Sequence, residues 1–297
     1  MQQAEAPRRR VVLVTGASTG IGLALVRELL KTNMRIVATA RESSLPRFGR
    51  EGLIDNERLL IRGLDVTNAV ERKRLINEIS MMWNGVDVLV NNAGLTVRAV
   101  MEDISPDEEQ KQFDVNYFGP MELARLVIPR MRARRSGHII NVSSVGGMMA
   151  MPTMGPYSAS KFALEGGSEA LYYELKPWGV NVTLFEPGFV HSDSFRQARI
   201  TKRCRDSLAD DCSTYYQYYT NMLPFIERMM KLSPTRPENI ARRIVRTMNS
   251  RRPPLRVPAT LDAWIFFYLR KFLPRGLYHK VLYNGLPNIK SWVDQHA

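Results

Sequence analysis

A turn with glycine at positions 16, 20 and 22 constrains this 297-residue chain more than any other feature. It reads Thr15-Gly-Ala-Ser-Thr-Gly-Ile-Gly22, follows the apolar run Val11-Val-Leu-Val14, and precedes Leu23, Val26, Leu29 and Leu30, which share one face of a helix. Strand, glycine turn and helix in that order let a backbone come close to a pyrophosphate held at a helix N-terminus. A chain opening this way is built to continue as a parallel α/β sheet.

The remaining pattern agrees. Short β-branched runs recur at 35–39, 58–61, 86–90, 138–142, 180–185 and 255–257, separated by helical stretches such as Ala69 to Met82, Glu108 to Met131, Ser158 to Leu175 and Pro237 to Ser250. The expectation is an α/β fold, a Rossmann-type doubly wound parallel sheet of about seven strands, with ligand at the carboxyl ends of the strands. We expect a lead over residues 1–10, a single domain over 11–258 with a helical substrate lid at about 189–235, and an extension over 259–297. The length suffices for one sizeable core, and 44% apolar with 24% charged residues are globular values. The four-residue apolar run after Arg8-Arg-Arg10 reads as the first strand, not as a signal peptide.

Chemistry enters with Ser144, Tyr157 and Lys161. Tyr157 and Lys161 stand four apart, so on a helix their side chains share a face, which sets an ammonium beside a phenol. A nearby cation favours phenolate and brings the group toward proton exchange near neutrality. Ser144 offers a hydroxyl to a substrate oxygen. A Tyr-x-x-x-Lys pair alone is usually a tyrosine covering a lysine stem, and a lone glycine turn is often mere tight packing. Order and context separate this chain from those cases.

With those residues, Leu64-Asp-Val66, Asn91-Asn-Ala-Gly94, Asn116-Tyr-Phe-Gly119, Asn141-Val-Ser-Ser-Val-Gly146, Tyr157-Ser-Ala-Ser-Lys161 and Pro187-Gly188, the sequence resembles the short-chain dehydrogenases/reductases over residues 11 to about 192. The resemblance implies that Tyr157 is the general acid/base, that Lys161 binds the nicotinamide ribose and lowers the tyrosine pKa, that Ser144 orients the substrate oxygen, and that Asn116 supports a proton relay. Ser144 fits the serine role because it precedes the tyrosine by thirteen residues. The implied cofactor-binding residues are Gly16, Ser18, Thr19, Gly20, Ile21, Gly22, Arg41, Asp65, Val66, Asn92, Ala93, Gly94, Tyr157, Lys161, Pro187, Gly188 and Val190. Members that the chain looks most like act on lipophilic alcohols or ketones, retinoid-like, steroid-like or long-acyl. A homo-oligomer, dimer or tetramer, is implied through the helices carrying Asn116 and Tyr157.

The second strand ends in Ala38-Thr-Ala-Arg41, with a guanidinium where a carboxylate would grip the free ribose hydroxyls of NAD, so NADP(H) is preferred and NAD(H) stays open. Met148, Met149, Met151 and Met154 suggest an adaptable apolar pocket. Tyrosines 215, 216, 218 and 219 read more readily as packing than as ligand contacts. Cys204 and Cys212, with four histidines, make neither a zinc site nor a disulfide scaffold, so no metal is expected and the compartment reads as cytoplasmic. Residues 196–297 carry 19 basic against 7 acidic side chains, and Leu261 to Leu273 is apolar and aromatic with Arg270 and Lys271 inside it and Arg275 just beyond. That stretch is too short to span a bilayer. It suits either peripheral contact with an anionic membrane or packing over the pocket or another subunit. No nucleic-acid motif accompanies the charge. The alternative to an enzyme is a catalytically silent dinucleotide-binding sensor or assembly module.

Overall fold

The computed structural model describes residues 8–191 and 198–292. Residues 1–7 of the expected lead, 192–197 of the expected lid and the last five residues lie outside them. The strands are β1 (Val11–Val14), β2 (Arg35–Ala40), β3 (Leu59–Gly63), β4 (Val88–Asn91), β5 (Val97–Arg98), β6 (Gly137–Val142), β7 (Val180–Glu186), β8 (Arg199–Ile200) and β9 (Arg256–Pro258). Seven form one parallel sheet in the order β3-β2-β1-β4-β6-β7-β9, and β5 and β8 pair as a small separate ribbon.

The helices are α1 (Gly20–Leu30), α2 (Pro46–Arg50), α3 (Ala69–Trp83), α4 (Pro106–Phe113), α5 (Gly119–Ala133), α6 (Gly155–Leu175), α7 (Lys202–Ala209), α8 (Tyr216–Leu232), α9 (Pro237–Met248), α10 (Leu261–Phe272) and α11 (Arg275–Asn284). Because successive strand residues face opposite sides, Val12 and Val14 join the cluster under α1 and α9, while Val11 and Leu13 join the one under α3, α5 and the end of α6. Helices thus cover both faces, which is why the central strands read as unbroken apolar runs. β1 lies between β2 and β4, so the chain turns one way from β1 through β2 to β3 and then restarts on the other side at β4. The crevice at that reversal is where ligands of such sheets bind.

The single helix expected from Glu108 to Met131 is three pieces. α4 begins at a capping box of Ser105 and Glu108, five residues (Asp114–Phe118) form a wide π turn, and α5 follows with Pro120 at its start. The wide turn swings Asn116 inward, where it is fully buried.

Candidate active site

The first residues beyond β1, β2, β3, β4, β6 and β7 gather around one cavity of about 610 Å³. Its walls include Gly16, Ser18, Thr19, Gly20 and Ile21 after β1, Arg41 after β2, Asp65 and Val66 after β3, Asn92, Ala93 and Gly94 after β4, Ser144 after β6, and Pro187, Gly188 and Val190 after β7. The turn after β1 is tightly knit. The Thr15 hydroxyl accepts the backbone N–H groups of Asn92 and Ala93, both at 3.0 Å, and the Asn92 amide donates to the Thr15 and Gly16 carbonyls, also at 3.0 Å. Gly16 has φ +62° and a side chain there would meet Ala93 Cα at 2.8 Å. Gly22 does not line the cavity; a Cβ there would lie 2.4 Å from the Gly16 carbonyl, so it serves close packing of helix on turn. α1 has no side-chain cap from Thr19 and no acidic residue in its first turn, which leaves its N–H groups and positive dipole end available to an anion. These residues fit the phosphates of a dinucleotide.

At the other end of the cavity stand Ser144, Tyr157 and Lys161. The ring of Tyr157 packs against the backbone of Gly146, where a Cβ would come within 2.9 Å of Cε1. The Ser144 hydroxyl accepts the Gly146 N–H at 3.0 Å and faces the phenol. Lys161 is buried, donates to the Val142 carbonyl at 2.9 Å, and lies 6.0 Å from the centre of the Tyr157 ring. Burial raises the phenol pKa, while the Ser144 hydroxyl and the Arg98 guanidinium oppose that rise. The family resemblance implies that opposing role for Lys161. In this structure burial takes Lys161 itself down to about 8, with the Glu165 carboxylate pulling the other way. Asn116 does not line the cavity. Its Oδ1 accepts the Leu95 N–H at 2.8 Å, and its Nδ2 donates to the Leu95 carbonyl at 2.9 Å and the Ser160 hydroxyl at 3.0 Å, one helical turn from Tyr157.

The family model for short chain dehydrogenases matches residues 10–203. The chain is a short-chain dehydrogenase/reductase. It is 32% identical over 269 residues to a 3-ketodihydrosphingosine reductase from Bacteroides thetaiotaomicron, covering 90% of this chain and 94% of that one. A short-chain dehydrogenase from Streptomyces avermitilis superposes with a TM-score of 0.77 at 28% identity, over 93% of this chain and 95% of that one. A metagenomic short-chain oxidoreductase solved in complex with NADP gives 0.64 at 25% identity, over 85% and 97%.

The cavity wall of this dehydrogenase also carries the apolar side chains of Met149, Met151, Met154, Phe189, Ile226 and Met230. Met148 lies outside the wall, packed with Val145 and Met149 against Ala263 and Tyr278 of α10 and α11, and its carbonyl accepts from Arg270. Tyr215, Tyr218 and Tyr219 make contacts within the fold. Tyr219 is fully buried, donates to Asp103 Oδ2 at 2.6 Å and accepts the Val100 N–H at 3.1 Å, Tyr215 donates to Glu102, and Tyr218 packs on Trp292.

Three further features carry no signal in the sequence. Arg98 lines the cavity from β5, and Arg47 lines it beside Arg41. Beneath Lys161, Arg256 clamps three carboxylates, Glu165, Glu169 (3.0 Å) and Glu186 (2.7 Å), and burial beside Glu165 pushes Glu186 up to about 8. Nothing local in the sequence marks these residues, because each becomes meaningful only when separate strands and helices converge. No helix among the described residues is long and apolar enough to cross a membrane.

Proposed function

We propose that this dehydrogenase uses NADP(H) to interconvert a carbonyl and a primary or secondary alcohol on a lipophilic substrate, with Tyr157 as general acid/base. The observation that carries the reading is that Tyr157, Ser144 and Lys161 wall the same cavity as the glycine turn. When bound, the nicotinamide supplies or accepts the hydride at the substrate carbon. In reduction, Ser144 holds the substrate oxygen and Tyr157 gives it the phenolic proton as the alcohol forms; oxidation returns that proton to the phenolate. Lys161, held by the Val142 carbonyl, is placed to grip the ribose, and Asn116 fixes the Leu95 backbone and Ser160 behind the tyrosine.

Arg41 and Arg47 support NADP over NAD, because both line the cavity near Ser18 and Thr19 and suit a 2′-phosphate. The neighbouring carboxylate, Glu42, lies against Gly63 and is not part of the wall. The methionine wall and the 3-ketodihydrosphingosine reductase relative support a lipophilic substrate. A panel of lipophilic ketones and alcohols, run with NADPH and NADH or their oxidised forms and followed by nicotinamide absorbance, tests the reading. Turnover of at least one lipophilic pair with preference for the phosphorylated cofactor is expected. No absorbance change across the panel would favour the silent sensor.

The extension supports a peripheral site on an anionic membrane. Trp264, Tyr268 and Phe272 stack one turn apart along α10, with centroids at 5.6 and 5.8 Å, and Leu261, Ile265, Leu277 and Val281 are exposed nearby among Arg270, Lys271, Arg275 and Lys280. Flotation with phosphatidylserine vesicles should be lost on replacing Trp264, Ile265 and Phe272 by serine; unchanged flotation rejects it. A homodimer or tetramer is supported by exposed Phe118 and Phe162 at the heads of α5 and α6, and sedimentation reads it.

A further inference from the structure

Of the described arginines that wall the cavity, Arg41, Arg47, Arg98 and Arg199, only Arg98 is buried, at 7% exposed. It ends the two-residue strand β5, which is held by β8 on one side and by a bridge from Ala99 to Met154 on the other. Its Nε is sealed from solvent without a partner, and no described residue forms a hydrogen bond or close ion pair with its guanidinium. Tyr157 and Glu227 act on it only through space; Glu227 is bridged to Lys231 at 2.7 Å and does not line the cavity. Burial lowers its pKa below the usual arginine value, yet a guanidinium does not give up its proton in a protein. The terminal nitrogens are not sealed in the same way, so a mostly buried guanidinium with no acceptor among the described residues is open to a ligand oxygen in the cavity.

The position of Arg98 narrows what that ligand group is. The phosphates of the cofactor belong to the opposite end, with Ser18, Thr19, Arg41 and Arg47. Arg98 shares the phenol end, among Met151, Met154 and Ile226. Arg199, exposed on β8, adds a second cation to the same wall, and among the described residues the carboxylates that line the cavity, Asp65 and Asp114, follow β3 and end α4. We infer that Arg98 forms an anion subsite for the substrate, so that the lipophilic molecule carries a carboxylate a few bonds from the reacting carbon, as in a hydroxy or oxo fatty acid. This inference rests on the oxidoreductase reading above and names its substrate class. A neutral sterol or retinoid would leave the guanidinium unpaired, and an amino alcohol would place one cation against another.

The test uses three alcohols of equal chain length: a medium-chain 3-hydroxy acid, its methyl ester and the corresponding amino alcohol, each with NADP+. Wild-type protein should prefer the acid and reject the amine. In Arg98→Met, kcat should shift alike for acid and ester because the phenol loses the same cation in both, whereas KM should rise on the order of 30-fold for the acid alone, as expected for loss of a charge-assisted hydrogen bond. NADPH affinity should stay unchanged, and Arg98→Lys should recover part of the acid preference. A KM that changes equally for acid and ester in Arg98→Met would overturn the subsite and leave Arg98 acting on the phenol alone. Wild-type preference for the ester or amine would overturn it as well. If none of the three turns over, the reaction reading fails for this class, and calorimetry on the NADPH-loaded protein judges the subsite alone. Binding of the hydroxy acid that Arg98→Met abolishes would uphold it, and absence of binding would overturn it.

Discussion

Asp262, in the first turn of α10, accepts the backbone N–H of Phe189 at 2.8 Å, while its neighbour Thr260 accepts that of Gly188 at 2.8 Å. The segment after β9 therefore pins the turn after β7 that walls the cavity, and α10 is part of the site's construction. Gly188 is required there, since a Cβ would lie 1.9 Å from an Asp262 oxygen. Asp262→Ala removes a charge-assisted bond worth about 1.5–3 kcal/mol. Cofactor KM should rise about tenfold or more, with little loss of secondary structure by circular dichroism.

Gly146 holds Tyr157 by what it lacks. Gly146→Ala places a methyl 2.9 Å from Cε1 of the ring and must push the phenol away. Turnover should fall by up to about 100-fold, because small displacements of a reacting group are costly, while the dissociation constant for NADPH, measured by fluorescence titration, should hardly move.

Arg256 joins β9 to α6 and β7 through Glu165, Glu169 and Glu186, two of them buried. Arg256→Leu leaves buried carboxylates without their cation and should destabilise the fold by about 3–5 kcal/mol. Glu186 is already raised to about 8 in the folded protein. A raised acid favours folding when protonated, and that contribution is lost as pH rises through the folded value. The variant's deficit in thermal melts should therefore shrink from pH 8 toward pH 5.

His138 is buried and neutral. Thr183 gives its hydroxyl proton to the Pro254 carbonyl and so accepts from His138 Nε2 at 2.9 Å, and burial lowers the imidazole to about 4. A depressed imidazole contributes stability that is complete above its ordinary value of 6.5 and is lost as pH falls through about 4. The wild-type melting temperature should drop across that window, and His138→Gln should flatten the slope by a linkage of about 3 kcal/mol.

The sheet was legible because its strands are buried on both faces, and such runs as Val11–Val14 and Val180–Glu186 announce themselves without partners. The glycine turn and the Ser144, Tyr157, Lys161 set were equally plain, since each is local in sequence. What the sequence concealed is convergence. Arg98 looks like a surface arginine until β5, β8 and α8 close around it, and Asp262 looks like part of a tail until it meets Phe189. The interruption of the 108–131 helix was marked only by composition, since Asp114 to Phe118 are all weak helix formers with Gly119-Pro120 behind them, while strong helix formers flank them on both sides. The electrostatics around Tyr157 also depended on burial, a property of the assembled cavity.

The most direct test of the account is Tyr157→Phe, which removes one oxygen and leaves the ring against Gly146. NADPH should bind within about threefold of wild type, while turnover of any accepted substrate should fall by about 10²–10⁴-fold, the contribution of a positioned general acid. Turnover retained within about tenfold of wild type, at unchanged NADPH affinity, would contradict the assignment of Tyr157 as the proton donor.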